Sequence, residues 1–252
     1  MIYDFFDPNY SGEPFHLFGP KHLLFLAIVL VIVLWLLIGW KNPSEKGKHR
    51  ARYLMAATLF IWEGAWHLWS LWTGTWTITY NLPLHICSIM VWLSIYMLIT
   101  KNQRIYEFAY FIGLAGALQP LLTPEAGIYG LWHFRALQTL IVHGTLVIAP
   151  IYMTTKEGFR PTWGSFLRVG IGTNIYMVII HFINLSIGSN YLFTVSKPPT
   201  TSLLDVLGPW PLYLLSMEAI GFILFFFLYL PFMIKDLHTK RSQSVLASST
   251  KT

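Results

Sequence analysis

The sequence predicts an all-α membrane protein with seven transmembrane helices. Hydrophobic residues make up 55% of the 252 residues and charged residues only 11%, and so few charges could not cover the surface of a soluble protein. Seven apolar stretches are long enough to cross about 30 Å of hydrocarbon. The basic residues accumulate after every second stretch, which is the pattern of cytoplasmic loops.

The predicted spans follow one another with short connections. The third and fourth are separated by only four residues, 101–104, and therefore form a helical hairpin. Because no connection is long enough to separate two domains, we predict one transmembrane domain over 1–238. The tail at 239–252 is rich in Ser, Thr and Lys and is predicted to be disordered and cytoplasmic. The spans are 23–40, 53–72, 82–100, 105–122, 134–154, 166–185 and 210–234.

The distribution of cations predicts the orientation of the chain. Of the 17 Lys and Arg residues, 14 follow odd-numbered spans, and only Lys21, Arg135 and Lys197 lie on the other side. The positive-inside rule then places the C-terminus in the cytoplasm and the N-terminus outside. The net charge of +6 follows from these loops, so we expect no nucleic-acid partner. The acidic N-terminal segment does not resemble a cleaved signal peptide.

Polar side chains within the predicted spans are the candidate functional groups, because ionisable residues are costly at membrane depth. Counting 1.5 Å per helical residue places them mainly in the outer half, so we expect a shared cavity that opens outward. Structural roles stay open: Glu63 as a protonated structural carboxyl, and Asn184 as a contact between helices. The candidates are Glu63, His67, His85, Cys87, His143, His181, Asn184 and Glu218.

Two of these candidates have local sequences that favour chemistry. Cys87 ends the segment Leu-Pro-Leu-His-Ile-Cys at 82–87, near a predicted helix start whose free N–H groups and dipole would stabilise a thiolate. His143 is followed by Gly144, which permits close approach of another group. The alternative for Cys87 is a small, inert core residue; as the single cysteine, it forms no intrachain disulfide.

These residues resemble the bacterial YwaF-type integral membrane family, which is related to transmembrane protein 164 of animals. The markers are Phe-Gly-Pro-Lys-His at 18–22, the motif at 82–87, His-Gly at 143–144 and the segment 203–211. The resemblance implies lipid chemistry, because the animal relative is an acyltransferase with a cysteine nucleophile, a role that corresponds to Cys87. A more distant likeness, to the androgen-induced-gene family of hydrolases, concerns His143, Thr145 and Pro150.

The implied reaction moves a fatty acyl chain from a phospholipid to a lysolipid through a thioester on Cys87, with His143 as base. We expect His85, His181 or Asn184 to donate to the oxyanion, and Glu63, His67 and Glu218 to lie near the substrate. The expected partner is a membrane phospholipid or lysophospholipid and the expected location is the cell membrane. We expect no cofactor and no metal.

Three alternatives use the same residues differently. A lipid-ester hydrolase would use the Cys87–His143 pair with water as acceptor. A transporter or binding protein would break a helix at Gly113, Gly116 or Pro120, and Cys87 would be dispensable. A zinc-dependent hydrolase would need His67, His143 and His181 as ligands, but these lack the His-Glu-x-x-His spacing.

Overall fold

The computed structural model is a bundle of helices that alternate in direction. It describes residues 2–124, 129–198 and 203–249, with side chains over 4–124, 129–198 and 204–239. The helices in these ranges are α1 (Ile2–Phe6), α2 (Pro20–Leu34, continued by a π-helix at Trp35–Gly39), α3 (Glu45–Trp72), α4 (Ile86–Thr100), α5 (Gln103–Phe108), a π-helix at Ala109–Gly113, α6 (Leu114–Leu122), α7 (Phe134–Lys156), α8 (Trp163–Ile187) and α9 (Leu212–Ser249), with 3₁₀ turns at Tyr191–Phe193 and Leu203–Val206.

The prediction of an all-helical membrane fold is confirmed. Large apolar side chains such as Leu54 and Ile38, each 70% exposed, point away from the bundle, as expected for surfaces that face lipid. Helix α3 is not among the helices long and apolar enough to span, since it carries Glu63 and His67, and α4 is too short. Among the described residues, five helical segments qualify: Pro20–Gly39, Gln103–Leu122, Phe134–Lys156, Trp163–Ile187 and Leu212–Thr239.

Helix α4 begins later than predicted. The third span was expected from residue 82, but residues 82–85 form turns and the helix starts at Ile86, with His85 as N-cap in an extended conformation. Pro83 disfavours helical geometry at the residue before it, and the Leu82 N–H donates to the Tyr191 hydroxyl at 3.0 Å. A contact with a distant loop therefore replaces the first helical turn.

Helix α9 continues further than predicted. Its backbone is helical to Ser249, whereas the composition predicted a disordered tail from residue 239. Lys240, Arg241 and Gln243 are good helix formers, and neither Gly nor Pro follows Pro231 to stop the helix. The tail is thus helical through 249, and 250–252 lie outside the described residues.

Contacts between distant segments gather most of the described cations at one end of the bundle, which we call the lysine-rich end. The ends of α2, α4 and α7 and the later part of α9 meet the first residues of α5 and α8 at this end. Successive helices therefore run in alternate directions. The contacts are Lys156 to the Trp40 carbonyl (2.6 Å), Lys101 to Glu157 (2.6 Å), Arg168 to Glu107 (2.9 Å) and Arg160 to Asp236 (2.8 Å).

The opposite end, which we call the N-terminal end, is closed by the segment before α2. His22 Nε2 donates to the Leu121 carbonyl at 2.8 Å, and His133 Nε2 donates to the Asp7 carbonyl at 3.0 Å. Both histidines are buried. These rings tie chain segments together, as amphipathic side chains do at an interface.

Helix α7 lies at the centre of the bundle, with neighbours on every side. It packs against α2, α3, α4 and α6. Gly144 allows α2 to come close, because a Cβ at this position would lie 3.2 Å from Cγ2 of Val29. The position of α7 places His143 inside the bundle.

Candidate functional site

The Cys87 thiol lies in the first turn of α4 and faces α6. The thiol donates to the Gly116 carbonyl, with 3.6 Å between sulfur and oxygen. That carbonyl lacks the usual donor four positions later, because this residue is Pro120, which has no N–H. Gly116 also leaves room for the sulfur, since a Cβ there would lie 3.8 Å from it. The Gly-x-x-x-Pro spacing is a sequence signal that could have located this acceptor.

His143 is held in one orientation by its own helix. Its Nδ1 lies 2.6 Å from the Thr139 carbonyl, so Nδ1 carries the proton and Nε2 has a lone pair. Within the described residues, no group donates to Nε2, and no hydrogen bond joins His143 to Cys87. The predicted pair is therefore not joined by a hydrogen bond, although the tautomer is the one that a general base requires.

A contact between α3 and α4 places Glu63 near the level of the thiol. These two helices are antiparallel, and Arg52 Nη1 donates to the Leu98 carbonyl at 3.0 Å. Eleven residues from each partner of this contact lie Glu63 and Cys87, which are thus at about the same level.

A contact between α6 and α7 gives the level of His143. A Cβ at Gly113 would lie 4.0 Å from the Leu146 carbonyl. These helices are antiparallel, so His143, three residues before Leu146, lies at about the level of Gly116, three residues after Gly113. Five residues from His143 towards the N-terminal end, Gln138 donates from Nε2 to Glu63 Oε2 at 3.4 Å. His143 is therefore near the level of the thiol, which donates to the Gly116 carbonyl.

Glu63 is a buried carboxylate with one unused oxygen. Its side chain is 3% exposed, and Oε1 accepts no hydrogen bond. His67 Nε2 is 4.0 Å from Oε1, too far for a hydrogen bond. The other ring nitrogen of His67 accepts from Trp76 Nε1 at 3.2 Å, so His67 is shared between the carboxylate and the loop after α3.

Sequence reasoning missed the two residues that connect Glu63 to the N-terminal end. Arg135 Nη1 donates to Gln138 Oε1 at 2.6 Å, and the guanidinium lies 5.2 Å from the centre of the Trp66 ring. Arg135 and Gln138 are three apart on α7 and hence on one face. That spacing, at one of the few cations on this side, could have identified them.

Asn184 is a structural residue of the loop that follows α8. Its Nδ2 donates to the Tyr191 carbonyl at 2.8 Å and to the Thr194 hydroxyl at 2.9 Å, while Oδ1 accepts from the Tyr191 N–H and the Ser189 hydroxyl. Both amide hydrogens are thus used. The predicted donation to an oxyanion does not fit this geometry, because no donor remains.

His85 and His181 belong to the same loop region and not to the thiol. His85 Nδ1 accepts from the Leu192 N–H at 3.4 Å, and its ring packs 5.1 Å from that of Tyr191. His181 Nδ1 lies 3.3 Å from the Thr194 hydroxyl. His85 is two residues from Cys87, and the two side chains contact different neighbours.

The remaining candidates lie on four different helices, α3, α7, α8 and α9. Glu218 is half-buried on α9 and forms no ion pair with other described side chains. The zinc ligands proposed for the metal-dependent alternative do not converge, since His67 and His181 contact different loops. Over the described ranges, no group of three or more His, Cys, Asp or Glu side chains is placed to hold a metal ion.

Two cavities lie at opposite ends of the bundle, and neither is lined by Cys87 or His143. One, of about 620 Å³, is at the lysine-rich end between Trp40 and Lys156. The other, of about 200 Å³, is at the N-terminal end, where His16 and Trp132 line it. The predicted polar residues instead form two groups: Glu63 and His67 between α3 and α7, and the histidines and Asn184 beside the α8 loop.

Comparison with known proteins identifies the family. The model of the TMEM164 family matches residues 17–229, which include α2 to α8, the first 18 residues of α9 and both Cys87 and His143. Neither the curated proteins nor the solved structures contain a match to this chain. Since the match covers most of the chain and the helices are long and apolar, this multi-pass membrane protein belongs to the TMEM164 family.

Proposed function

We propose that this protein transfers a fatty acyl chain between phospholipid and lysolipid through a thioester on Cys87. The observation that carries the proposal is a half-buried thiol in the first turn of α4, beside a proline-freed carbonyl and level with an unpaired carboxylate oxygen of Glu63. Membership of the TMEM164 family supports it through the acyltransferase activity of the animal relative. The relations to the YwaF-type and androgen-induced-gene families stay predictions.

In the first half-reaction His143 Nε2 takes the thiol proton, and the thiolate attacks the ester carbonyl carbon of a phospholipid. The bond between that carbon and the glycerol oxygen breaks, and the leaving oxygen receives the proton from His143. The products are a lysophospholipid and an acyl-thioester on Cys87. Because no hydrogen bond joins His143 to Cys87 in the described part of the chain, side-chain movement or a bridging water must connect the two groups.

In the second half-reaction the hydroxyl of an acceptor lysolipid gives its proton to His143 and attacks the thioester. The carbon–sulfur bond breaks and the Cys87 thiolate takes up a proton from the imidazolium. The same steps with water as acceptor would release a free fatty acid, which is the lipid-ester hydrolase alternative.

We further propose that all seven long helical segments cross the membrane, with the N-terminus outside. The 28 residues of α3 extend about 42 Å, enough to span despite their polar groups. The 15 residues of α4 extend only about 22 Å. The loop before α4 adds to the length of this segment across the membrane. Protein covers this loop, since Asn81 is buried and the Tyr191 hydroxyl donates to the Ile78 carbonyl. Irregular backbone is tolerated at membrane depth where protein covers it.

This orientation predicts the result of a reporter fusion. A reporter that works only in the cytoplasm should be active when it is joined after Thr252, because 14 of the 17 cations lie on the side of the C-terminus. A second fusion in the loop after α8 should report the outside. Activity of the C-terminal fusion on the outer side would overturn the orientation.

A second prediction separates His143 from Glu63 as the group that takes the thiol proton. Because Cys87 is the single cysteine, alkylation by a small membrane-permeant reagent reports on one thiol. His143→Ala should slow alkylation at pH 7 about tenfold or more, since the thiolate is the reactive form. Glu63→Gln, which keeps the shape and the contact with Gln138, should change the rate less than twofold.

The controls make each result decisive. His181→Ala removes an imidazole beside the α8 loop and should leave the rate unchanged. If Glu63→Gln alone slowed alkylation, the Glu63 carboxylate and not His143 would be the group that takes the thiol proton. Equal rates in all variants and wild type would mean an inert thiol, and a binding or transport protein would replace the acyltransferase.

A further inference from the structure

The cavity at the lysine-rich end is a second concentration of functional groups, far from the thiol. It holds about 620 Å³, and its wall contains Lys41, Lys48 and Lys156 together with Asn42 and Trp40. On α7, Lys156 is 13 residues from His143, which is about 20 Å along the helix. The cavity is therefore separate from the site of the proposed reaction.

The side chains that line the cavity are cationic, and few carboxylates neutralise them. Lys48 pairs with Glu45 at 2.8 Å, and that carboxylate is 80% exposed. The nearest buried carboxylate, Glu157, is held by Arg52 and Lys101 and does not line the cavity. Lys41 and Lys156 have no acidic partner among the described side chains. The wall thus carries three ammonium groups and no carboxylate.

The wall is also held in place. Lys156 Nζ donates to the Trp40 carbonyl at 2.6 Å, which leaves two of its three hydrogens for a ligand. The Trp40 ring stacks on Trp35 at 4.9 Å. Gly47 lets the start of α3 approach this ring, because a Cβ there would lie 3.4 Å from it. A fixed ammonium loses less conformational entropy when it binds.

We propose that this cavity binds a phosphate group. Lysine ammonium groups bind phosphate oxygens as point charges. Lys48 is paired with Glu45, so Lys41 and Lys156 supply the net positive charge, which matches the charge of about −2 on a phosphate monoester. The cavity lies where the apolar segment Pro20–Gly39 ends, next to Trp35 and Trp40, which is the depth of lipid headgroups. The phosphate belongs either to a phospholipid headgroup or to a soluble anion, and the experiment separates these sources.

The test uses the full-length protein in detergent and isothermal titration calorimetry. The probes are short-chain phosphatidic acid, short-chain phosphatidylcholine and inorganic phosphate. Phosphatidic acid should bind at one saturable site and more tightly than phosphatidylcholine, whose choline cation opposes the lysines. Lys41→Gln should weaken this binding about fivefold, and Lys41→Gln with Lys156→Gln about 25-fold, from the usual contribution of a basic residue near an anionic surface.

Lys46→Gln is the matched control, since Lys46 is an exposed lysine at the same end that does not line the cavity. Lys41 is exposed, so its replacement should leave the thermal midpoint unchanged and loss of folding cannot explain weaker binding. Inorganic phosphate that binds as tightly as phosphatidic acid and competes with it would support the site and assign it to a soluble anion. The proposal would be overturned if neither phosphatidic acid nor inorganic phosphate bound at a saturable site. It would also be overturned if Lys46→Gln weakened binding as much as Lys41→Gln.

Discussion

Cys87→Ala is expected to reduce acyl transfer at least about a thousandfold, which is the scale of loss when a covalent nucleophile is removed. The thiol supplies the sulfur atom that carries the acyl chain, and Cys87 is the single cysteine of the sequence. The fold should survive, because the sulfur makes a single weak hydrogen bond, to the Gly116 carbonyl. The measurement is transfer of a labelled acyl chain between phospholipid and lysolipid, together with intact mass.

The intact mass should show a fatty-acyl addition on wild type that neutral hydroxylamine removes, and none on Cys87→Ala. Cys87→Ser is the matched variant, because its hydroxyl keeps a hydrogen bond to Gly116 but is a poor nucleophile beside a weak base. Both variants should have the thermal midpoint of wild type. Full transfer by Cys87→Ala would end the thioester mechanism and favour the binding or transport alternative.

Glu157→Gln is expected to destabilise the protein by about 3–5 kcal/mol, the usual cost of leaving a buried charge without its partner. The Glu157 side chain is 3% exposed and lies 3.1 Å from Arg52 Nε and 2.6 Å from Lys101 Nζ. The Tyr152 hydroxyl lies 2.9 Å from its Oε1. The neutral amide would leave two cations unpaired where α3, α4 and α7 meet. The thermal midpoint in detergent should fall by roughly 10 °C.

The exposed pair at the same end provides the control. Arg160 and Asp236 meet at 2.8 Å, and each side chain is 43% exposed. Asp236→Asn should cost about 0–1 kcal/mol, because water screens the pair. Similar shifts for Glu157→Gln and Asp236→Asn would show that the buried carboxylate contributes no more than a surface one.

Much of the fold was predictable from local sequence, and particular elements show where this stopped. The apolar stretches predicted every long helical segment, since each is recognisable from its own residues. The start of α4 was not predictable, because it depends on the Tyr191 hydroxyl, 109 positions from Leu82. The tail at 239–252 was predicted to be disordered from its composition, and composition carries no information on whether the preceding helix continues into it.

For the candidate site, the sequence proposes members but not their arrangement. Cys87 and His143 follow from the motif and the depth of each residue. Gln138 and Arg135 were missed, because their importance comes from contact with Glu63 and Trp66 on another helix. Asn184 was predicted as a possible donor to substrate, yet its amide is used by a loop within ten residues of it.

The sequence by itself determined that this chain is a helical membrane protein with cations on one side of its predicted spans, because apolar length and charge are properties of the chain. It also singled out one thiol and one deep imidazole. Only the tertiary structure decided that the thiol meets the Gly116 carbonyl near the level of Glu63, and that the His143 ring is hydrogen-bonded within its own helix and not to the thiol. The partner of a buried polar group depends on which helices adjoin and in what register, and that is set by packing over the whole bundle.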